Sequence, residues 1–381
     1  LGVEIGIVPI RIDSGDDNGY RSRSPHPFRA PAAGAFAAMT AFRSLLAAAL
    51  AVAVLPAAPA LAQEKVLNLY SARHYQTDEA LYGNFTKATG IRINRIDAGD
   101  EQLIERLKSE GANSPADVLL IVDAARLYHA QQLGLFQPVR SAVLDSRIPA
   151  NLRDPGGQWF GFSTRARILV YNKAMLSAAD IPTYESLADP KLKGRICARS
   201  GSHPYNLTLV GSMIAAHGEA KAEAWAKGVV ANFGRQPKGG DTDQIRAVAA
   251  GECAVAITNS YYYARLMRST KPDEVELVAK TGVVFPDQGG RGTHVNVAGA
   301  GVLRSAPNRA HAVAFLEYLA SDDAQRYFAD GNNEWPAVAS VRAHNPALDR
   351  MGEFRVDPVS IATLGQNTPI AQKVVDRAGW R

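Results

Sequence analysis

From residue 65 onward, short apolar runs alternate with stretches of helical period, and this alternation limits the fold more than any other feature. "VLNLYSA" (66–72) reads as a strand, and "TDEALYGNFTKATG" (77–90) as an amphipathic helix with acids in its first turn and Gly90 at its end. "IRINRID" (91–97) alternates as a half-buried strand does, "DEQLIERLKSEG" returns to helix, and "ADVLLIVDA" (116–124) is apolar enough for a strand buried on both faces. "ARLYHAQQLG" follows as a helix, again closed by glycine. Strand, helix, strand in this order favours an α/β fold with a mostly parallel sheet.

The pattern changes after "LRDPGGQWFGFSTRARILVYNKAML". Strands are expected at 158–162 and 166–172, then "GRICARS" (194–200), a helix over 204–217 and another around "EAWAKGVVANF". The helix "TDQIRAVAAG" and the strand "CAVAITN" come next, "VNVAGAGVL" (295–303) looks like a returning strand, and "NRAHAVAFLEYLAS" and "SDDAQRYFADGNNEWPAV" read as helices. This order implies two lobes with crossovers near 163–170 and 295–300, pivoting on a hinge around an enclosed ligand. Lobe 1 would hold 63–165 and 296–340, and lobe 2 would hold 166–295 and 341–381.

Ahead of this region, "MTAFRSLLAAALAVAVLPAAPALAQEK" carries Arg43, an apolar core from Leu45 to Leu55, and Ala60-Leu61-Ala62 before Gln63. That is the pattern of a secretory signal peptide over 39–62. Its apolar run falls short of the about 20 residues that a membrane span needs. Residues 1–38 lack apolar periodicity and read as a disordered or non-native leader. A freely soluble, exported protein of residues 63–381 is expected, since no lipobox cysteine stands near residue 63. The net charge of +5 comes without a basic block, so a nucleic-acid partner is not expected. Cys197 and Cys253 are the two cysteines, each in an apolar strand-like run. In an oxidising compartment they are expected to pair, the alternative being two separate buried thiols.

Ligands in open α/β sheets gather at the carboxyl ends of strands. After "VLNLYSA" stand Arg73, His74 and Tyr75; after "GRICARS", His203 and Tyr205; after "CAVAITN", Tyr261, Tyr262 and Tyr263. Five of the 13 tyrosines therefore fall at three turns, more than chance would place there. Phenolates are hard oxygen donors, and a phenol keeps its proton at neutral pH unless a strong positive charge displaces it. Calcium and magnesium prefer carboxylates and carbonyls, and zinc prefers clustered Cys and His. Ferric iron fits phenol-rich turns best. Successive helical residues turn by about 100°, so at most two of Tyr261, Tyr262 and Tyr263 can aim at one metal, and the third should pack against a lobe.

"LYSARHYQTD", "IERLKSEGANSPADVLLIVDAARL", "NLRDPGGQWFGFSTRARILVYNK" and "NSYYYAR" together resemble the periplasmic ferric-iron-binding proteins of ABC transporters, over nearly all of 65–381. The resemblance implies a two-lobed periplasmic-binding-protein fold with two hinge crossovers (type II architecture). It also implies Fe3+ (Fe2+ possible) as transported ligand and an inner-membrane ABC permease with its ATPase as partner; a monomer is expected. The matching positions for metal ligands are His74, Tyr75, Tyr205, Tyr261 and Tyr262. His203 is an alternative to His74. Some relatives use a glutamate and a bound anion, but no counterpart of that glutamate stands out here, so the tyrosine-rich set without a required anion is favoured. Four phenolates and an imidazole would leave a ferric centre with one net negative charge. Arg165 and Arg167 in "STRAR" could moderate it as outer donors or could serve the hinge alone.

Two other functions compete. One is a receptor for an organic or oxyanion solute, with the tyrosines as a stacking wall. The other is an exported iron-dependent enzyme, which lacks support from any Gly-x-Ser-x-Gly elbow or 2-His-1-carboxylate spacing.

Overall fold

The computed structural model of the protein describes residues 64–73, 77–342 and 344–381. The leader 1–38, the signal sequence expected over 39–62, and the candidate ligands His74 and Tyr75 lie outside the described residues.

The strands are β1 (Val66–Ser71), β2 (Arg92–Asp97), β3 (Val118–Val122), β4 (Phe160–Asn172), β5 (Ile196–Cys197), β6 (Val255–Asn259), β7 (Thr281–Val284), β8 (Val295–Val302) and β9 (Trp335–Pro336). They form one nine-stranded sheet in the order β2-β1-β3-β8-β4-β6-β5, with β7 and β9 also on β4. The sheet is mixed, which corrects the expectation of a mostly parallel one. β1 runs parallel to β2 and β3, and β5 to β6, whereas β4 and β8 are antiparallel to every strand they pair with. Local βαβ patterns fix parallel neighbours, but the two long crossing strands are paired across large sequence distances that no local pattern reveals.

The strands expected separately at 158–162 and 166–172 are one strand of 13 residues, with a register shift between Gly161 and Ser163. The polar run Ser163-Thr164-Arg165 looks like a break, yet all three side chains are buried. β4 changes partners at this point. Phe160–Ala166 pairs with β8, and Arg167–Asn172 pairs with β6 and β7. β8 in turn runs on to β3.

Separate cores flank the change of partners. One gathers Leu67, Leu69, Phe85, Leu119, Phe160 and Phe315. Past it, Leu169 packs with Ile196, Leu209 and Ile257 on one face of the sheet, and Ile168 and Val170 pack with Ile245 and Val248 on the other. This is the two-residue period of a strand buried on both faces. The helix Ile361–Ala378 starts at Ser360, whose Oγ accepts from the Thr363 amide, and reaches both halves. Ile361 and Leu364 sit in the first core, and Ala371, Val374 and Val375 in the second. Asn296 on β8 also joins them. Its Nδ2 donates to Asp123 Oδ2 and Thr208 Oγ1, each at 2.8 Å, and its Oδ1 accepts from the Ala124 amide.

Cys197 and Cys253 form a disulfide between the buried ends of β5 and the turn before β6, with Cα atoms 5.7 Å apart and a sequence separation of 56. Closing a loop of that length constrains the unfolded chain by about 4 kcal/mol on the chain-entropy account. Cys253→Ser should lose that much in urea denaturation and become insensitive to reductant; equal midpoints for oxidised and reduced wild type would contradict it.

His294, buried just ahead of β8, gives a pH dependence of known sign. Burial, then Arg291 and Arg167, push its imidazole down to about 3 from 6.5. Below 6.5 the unfolded chain binds a proton that the fold refuses, so this residue subtracts stability as pH falls from 6.5 toward 3. His294→Gln removes the effect. Wild-type stability measured relative to that variant should therefore decline across this window, and a constant difference would rule the account out.

Candidate metal site

The tyrosine triplet begins where β6 ends. Asn259 is both the last strand residue and the N-cap of the helix Ser260–Met267, and Ser260 Oγ accepts from the Ala166 amide at 3.1 Å, tying the helix start to β4. Helical rotation then sends the three phenols different ways. Tyr263 turns into the core and bonds Thr281 through its carbonyl at 3.2 Å and its Oγ1 at 3.1 Å. Tyr261 and Tyr262 stay together, with ring centroids 4.2 Å apart and planes tilted by 31°. The triplet thus splits into a pair and a packing residue, as helix geometry requires.

Tyr205 joins that pair from a second helix start. The helix Pro204–His217 has Pro204 in its first turn and His203 as N-cap, with His203 Nδ1 accepting from the Tyr205 amide at 3.3 Å. The Tyr205 hydroxyl lies 3.3 Å from that of Tyr261. His203 packs edge-on against the Tyr205 ring at 4.4 Å. Burial, then Arg199, Arg167 and Arg126, push His203 down to about 2, so it is neutral and its Nδ1 is engaged as a cap. Its Nε2 alone is left for another partner.

Charge is arranged tightly behind Tyr205. Arg167 lies 5.8 Å and Arg199 5.2 Å from its ring centroid. Asp241, fully buried, pairs with Arg167 at 2.6 Å and with Arg199 at 3.1 Å, and accepts from the Asn259 amide at 2.7 Å. Arg167 also donates to Asn206 Oδ1 at 2.7 Å and Asn259 Oδ1 at 3.1 Å. Burial raises the Tyr205 phenol above its ordinary value, Tyr262 and Asp241 add to the rise, and Arg165 and the Tyr261 hydrogen bond oppose it. The phenol therefore keeps its proton until something more positive replaces it.

Arg165 is buried on the other side of the partner change, 3.7 Å from Glu334. Glu334 Oε2 accepts from Ser163 Oγ at 2.6 Å and from Arg73 at 3.2 Å, and Arg73 pairs with Asp78 at 2.9 Å. Asn332 donates to Asp78 at 2.9 Å and accepts from Thr77 Oγ1. The chain on either side of 74–76 is thereby fastened to the segment 332–334 and to β4.

Sequence reasoning missed Arg199, Asp241 and Glu334. Asp241 passes as an ordinary first-turn acid of the helix Asp241–Ala249, and Glu334 hides in the turn "NNEW". A lone acid between asparagines and an aromatic is the one local hint of burial.

Two cavities meet at Tyr262. The first, about 520 Å³, has Arg73, Asp97 and Arg126 on one side and Arg199, His203, Tyr205 and Tyr262 on the other. The second, about 740 Å³, opens beside Tyr261 and Tyr262 and is also lined by Thr77, Asn332 and Asn333. Tyr262 borders both. Among the described residues no group of three His, Cys, Asp or Glu side chains is placed to hold a metal, so the concentrated donor chemistry is phenolic. No helix among them is long and apolar enough to cross a membrane.

Residues 113–354 match a family model described as bacterial extracellular solute-binding protein. Iron uptake protein A2 of Synechocystis is 53% identical over 335 residues, covering 87% of this chain and 95% of its own length. A solved structure of Trichodesmium FutA (IdiA), in complex with iron and citrate ligands, is similar with a TM-score of 0.81 and 51% identity, covering 83% of this chain and 100% of the other. A ferric binding protein from Campylobacter jejuni is similar at 0.78 and 40% identity, over 83% of this chain and 100% of its own.

Proposed function

The chain belongs to the bacterial extracellular solute-binding proteins, and from that membership we propose that it captures Fe3+ between its lobes with phenolate oxygens and passes it to an ABC transporter. It is a two-lobed transport binding protein, not an enzyme. The observation that carries the ferric reading is the convergence of Tyr205, Tyr261 and Tyr262 from two helix starts, with hydroxyls 3.3 Å apart in the first two. Phenols this close resist ionising together, and a trivalent cation removes that penalty. We assign His74 and Tyr75 as the ligands contributed from the opposite lobe, with Arg165 and Arg167 as the cations that moderate the excess negative charge.

These three phenols belong to the second lobe, so a metal held by them alone would leave an incomplete shell. Closure adds the ligands of the first lobe, which couples affinity to conformation. The phenols must lose protons to bind, so apparent affinity should rise with pH, by about tenfold per unit for each proton displaced. Acid, reopening or reduction to Fe2+ would each favour release. Export to the periplasm, delivery to a permease with its ATPase, and action as a monomer complete the proposal.

Residues 63–381, loaded with ferric citrate and freed of excess iron, should be coloured by tyrosinate-to-iron charge transfer and hold one iron per chain. A colourless, iron-free protein would turn the assignment toward an organic or oxyanion solute stacked on the tyrosines.

A further inference from the structure

Two carboxyl groups meet away from the tyrosines, where the loop between β7 and β8 folds back on the second lobe. Asp287 in that loop is buried and holds a left-handed backbone with φ of 64°. Its amide donates to the Pro182 carbonyl at 2.9 Å, and its carbonyl accepts from the Gly290 and Gly292 amides, each at 2.9 Å. The side chain is less well served. Its Oδ2 is buried without a hydrogen-bond donor, and the Arg291 Nε at 3.4 Å is buried without an acceptor. The half-buried Glu185 carboxyl lies beside it, within hydrogen-bond reach once either acid carries a proton. Glu185 in turn meets His217 Nε2 at 2.7 Å, at the end of the helix Pro204–His217. Arg291 is shared elsewhere: it donates to the Ser212 carbonyl at 3.0 Å, pairs with Asp357 at 3.3 Å and lies 5.8 Å from the Tyr184 ring. Two adjacent carboxylates with so little positive charge between them resist ionising together. Burial, then the Glu185 charge, push the Asp287 carboxyl up to about 7, with Arg291 opposing.

We propose that Glu185 and Asp287 share one proton, and that this proton is a latch fastening the loop 285–294 to the second lobe at the root of the β8 crossing. With the proton held, the Asp287 hydroxyl donates to the Glu185 carboxylate and the loop is tied to the turn Glu185–Ala188. Once it is lost to water, two like charges face each other and the loop is pushed off. What the loop anchors gives the latch its reach. His294 at its end accepts from the Arg167 amide at 2.9 Å, and β8 begins at the next residue. Thr293 exchanges backbone bonds with Arg355 at 2.8 Å and Asp357 at 2.9 Å, just ahead of the helix Ile361–Ala378. Two of the connections between the cores are therefore rooted in this loop, so acid stiffens the hinge and neutral pH loosens it. The sign follows from linkage. Between the ordinary value of 3.8 and about 7 the latched state keeps a proton that the open state has released, so the latch weakens as pH rises through that window and stays weak above it.

Two measurements on iron-free residues 63–381 test this without reference to the metal. The first follows the side-chain carboxyl carbon of Asp287 by NMR through a pH titration, its signal assigned by its loss in Asp287→Asn. A midpoint near 7 is expected, falling in Glu185→Gln, which removes the neighbouring charge. A wild-type midpoint near the ordinary value of about 4 would overturn the shared proton. The second is amide hydrogen exchange over 286–294, corrected for the intrinsic effect of pH. Protection in the wild type should fall by about tenfold or more between pH 5 and pH 7, since the opening is linked to one proton. Asp287→Asn keeps an N–H donor for Glu185 and does not titrate, so its protection should hold across the same range. Equal pH responses in the two proteins, or none in the wild type, would overturn the latch even if the titration showed the proton to be shared. Should the variant fail to fold, the wild-type titration and exchange profile still decide the matter.

Discussion

Tyr261→Phe is expected to weaken ferric binding by more than about 100-fold, beyond the 10–100-fold loss that follows removal of a partner outside the metal's own ligands. The substitution takes away one oxygen and little else. The ring remains to stack on Tyr262 and the helix start at Ser260 is untouched. Its loss also frees the Tyr205 hydroxyl from its neighbour at 3.3 Å, which removes one of the influences that lower the Tyr205 phenol. Iron content after competition with citrate, read together with the charge-transfer band, measures the effect. Tyr263→Phe is the control. It should cost about 1 kcal/mol of stability, through the bonds to Thr281, with no change of colour. Equal bleaching by both variants would mean that the band reports folding and not ligation.

Asp241→Asn should cost about 3–5 kcal/mol of stability, because it leaves two arginines without their buried counter-charge. The same change has an opposite effect on the phenols. Asp241 helps to raise the Tyr205 phenol, so its removal lets Arg167 and Arg199 favour the phenolate. The variant should unfold at lower urea but begin to take up iron at lower pH than wild type. Loss of stability without that shift would confine Asp241 to a structural role, and unchanged stability would contradict the ion-pair account altogether.

What the sequence makes legible follows the range of the interactions involved. "NSYYYAR" can be read because its geometry is local: a strand end, a helix start and 100° steps decide where each ring goes. Tyr205 can be read for the same reason, as Pro204 marks its helix. The partners of Arg165 and Arg167 cannot. Arg167 meets Asp241 across 74 residues, and Glu334 reaches Arg73 across 261. Each acid looks like ordinary surface charge until the sheet brings it beneath the site. Direction within the sheet is hidden in the same way, since β8 could be seen as a strand while its antiparallel neighbours β3 and β4 could not be inferred. The helix Ile361–Ala378 escapes because Pro369 interrupts the look of a helical period.

That helix has a mechanical consequence. With β4 and β8 it makes a third span between the two cores, and Asn296 pins the same neighbourhood through Asp123 and Thr208. Three spans oppose sliding or separation of the halves and favour rotation about a hinge, described by an angle. The molecule is in effect a gauge with a single needle. If the proposed transporter grips both lobes from outside, that angle would tell it loaded from empty without its ever touching the cargo.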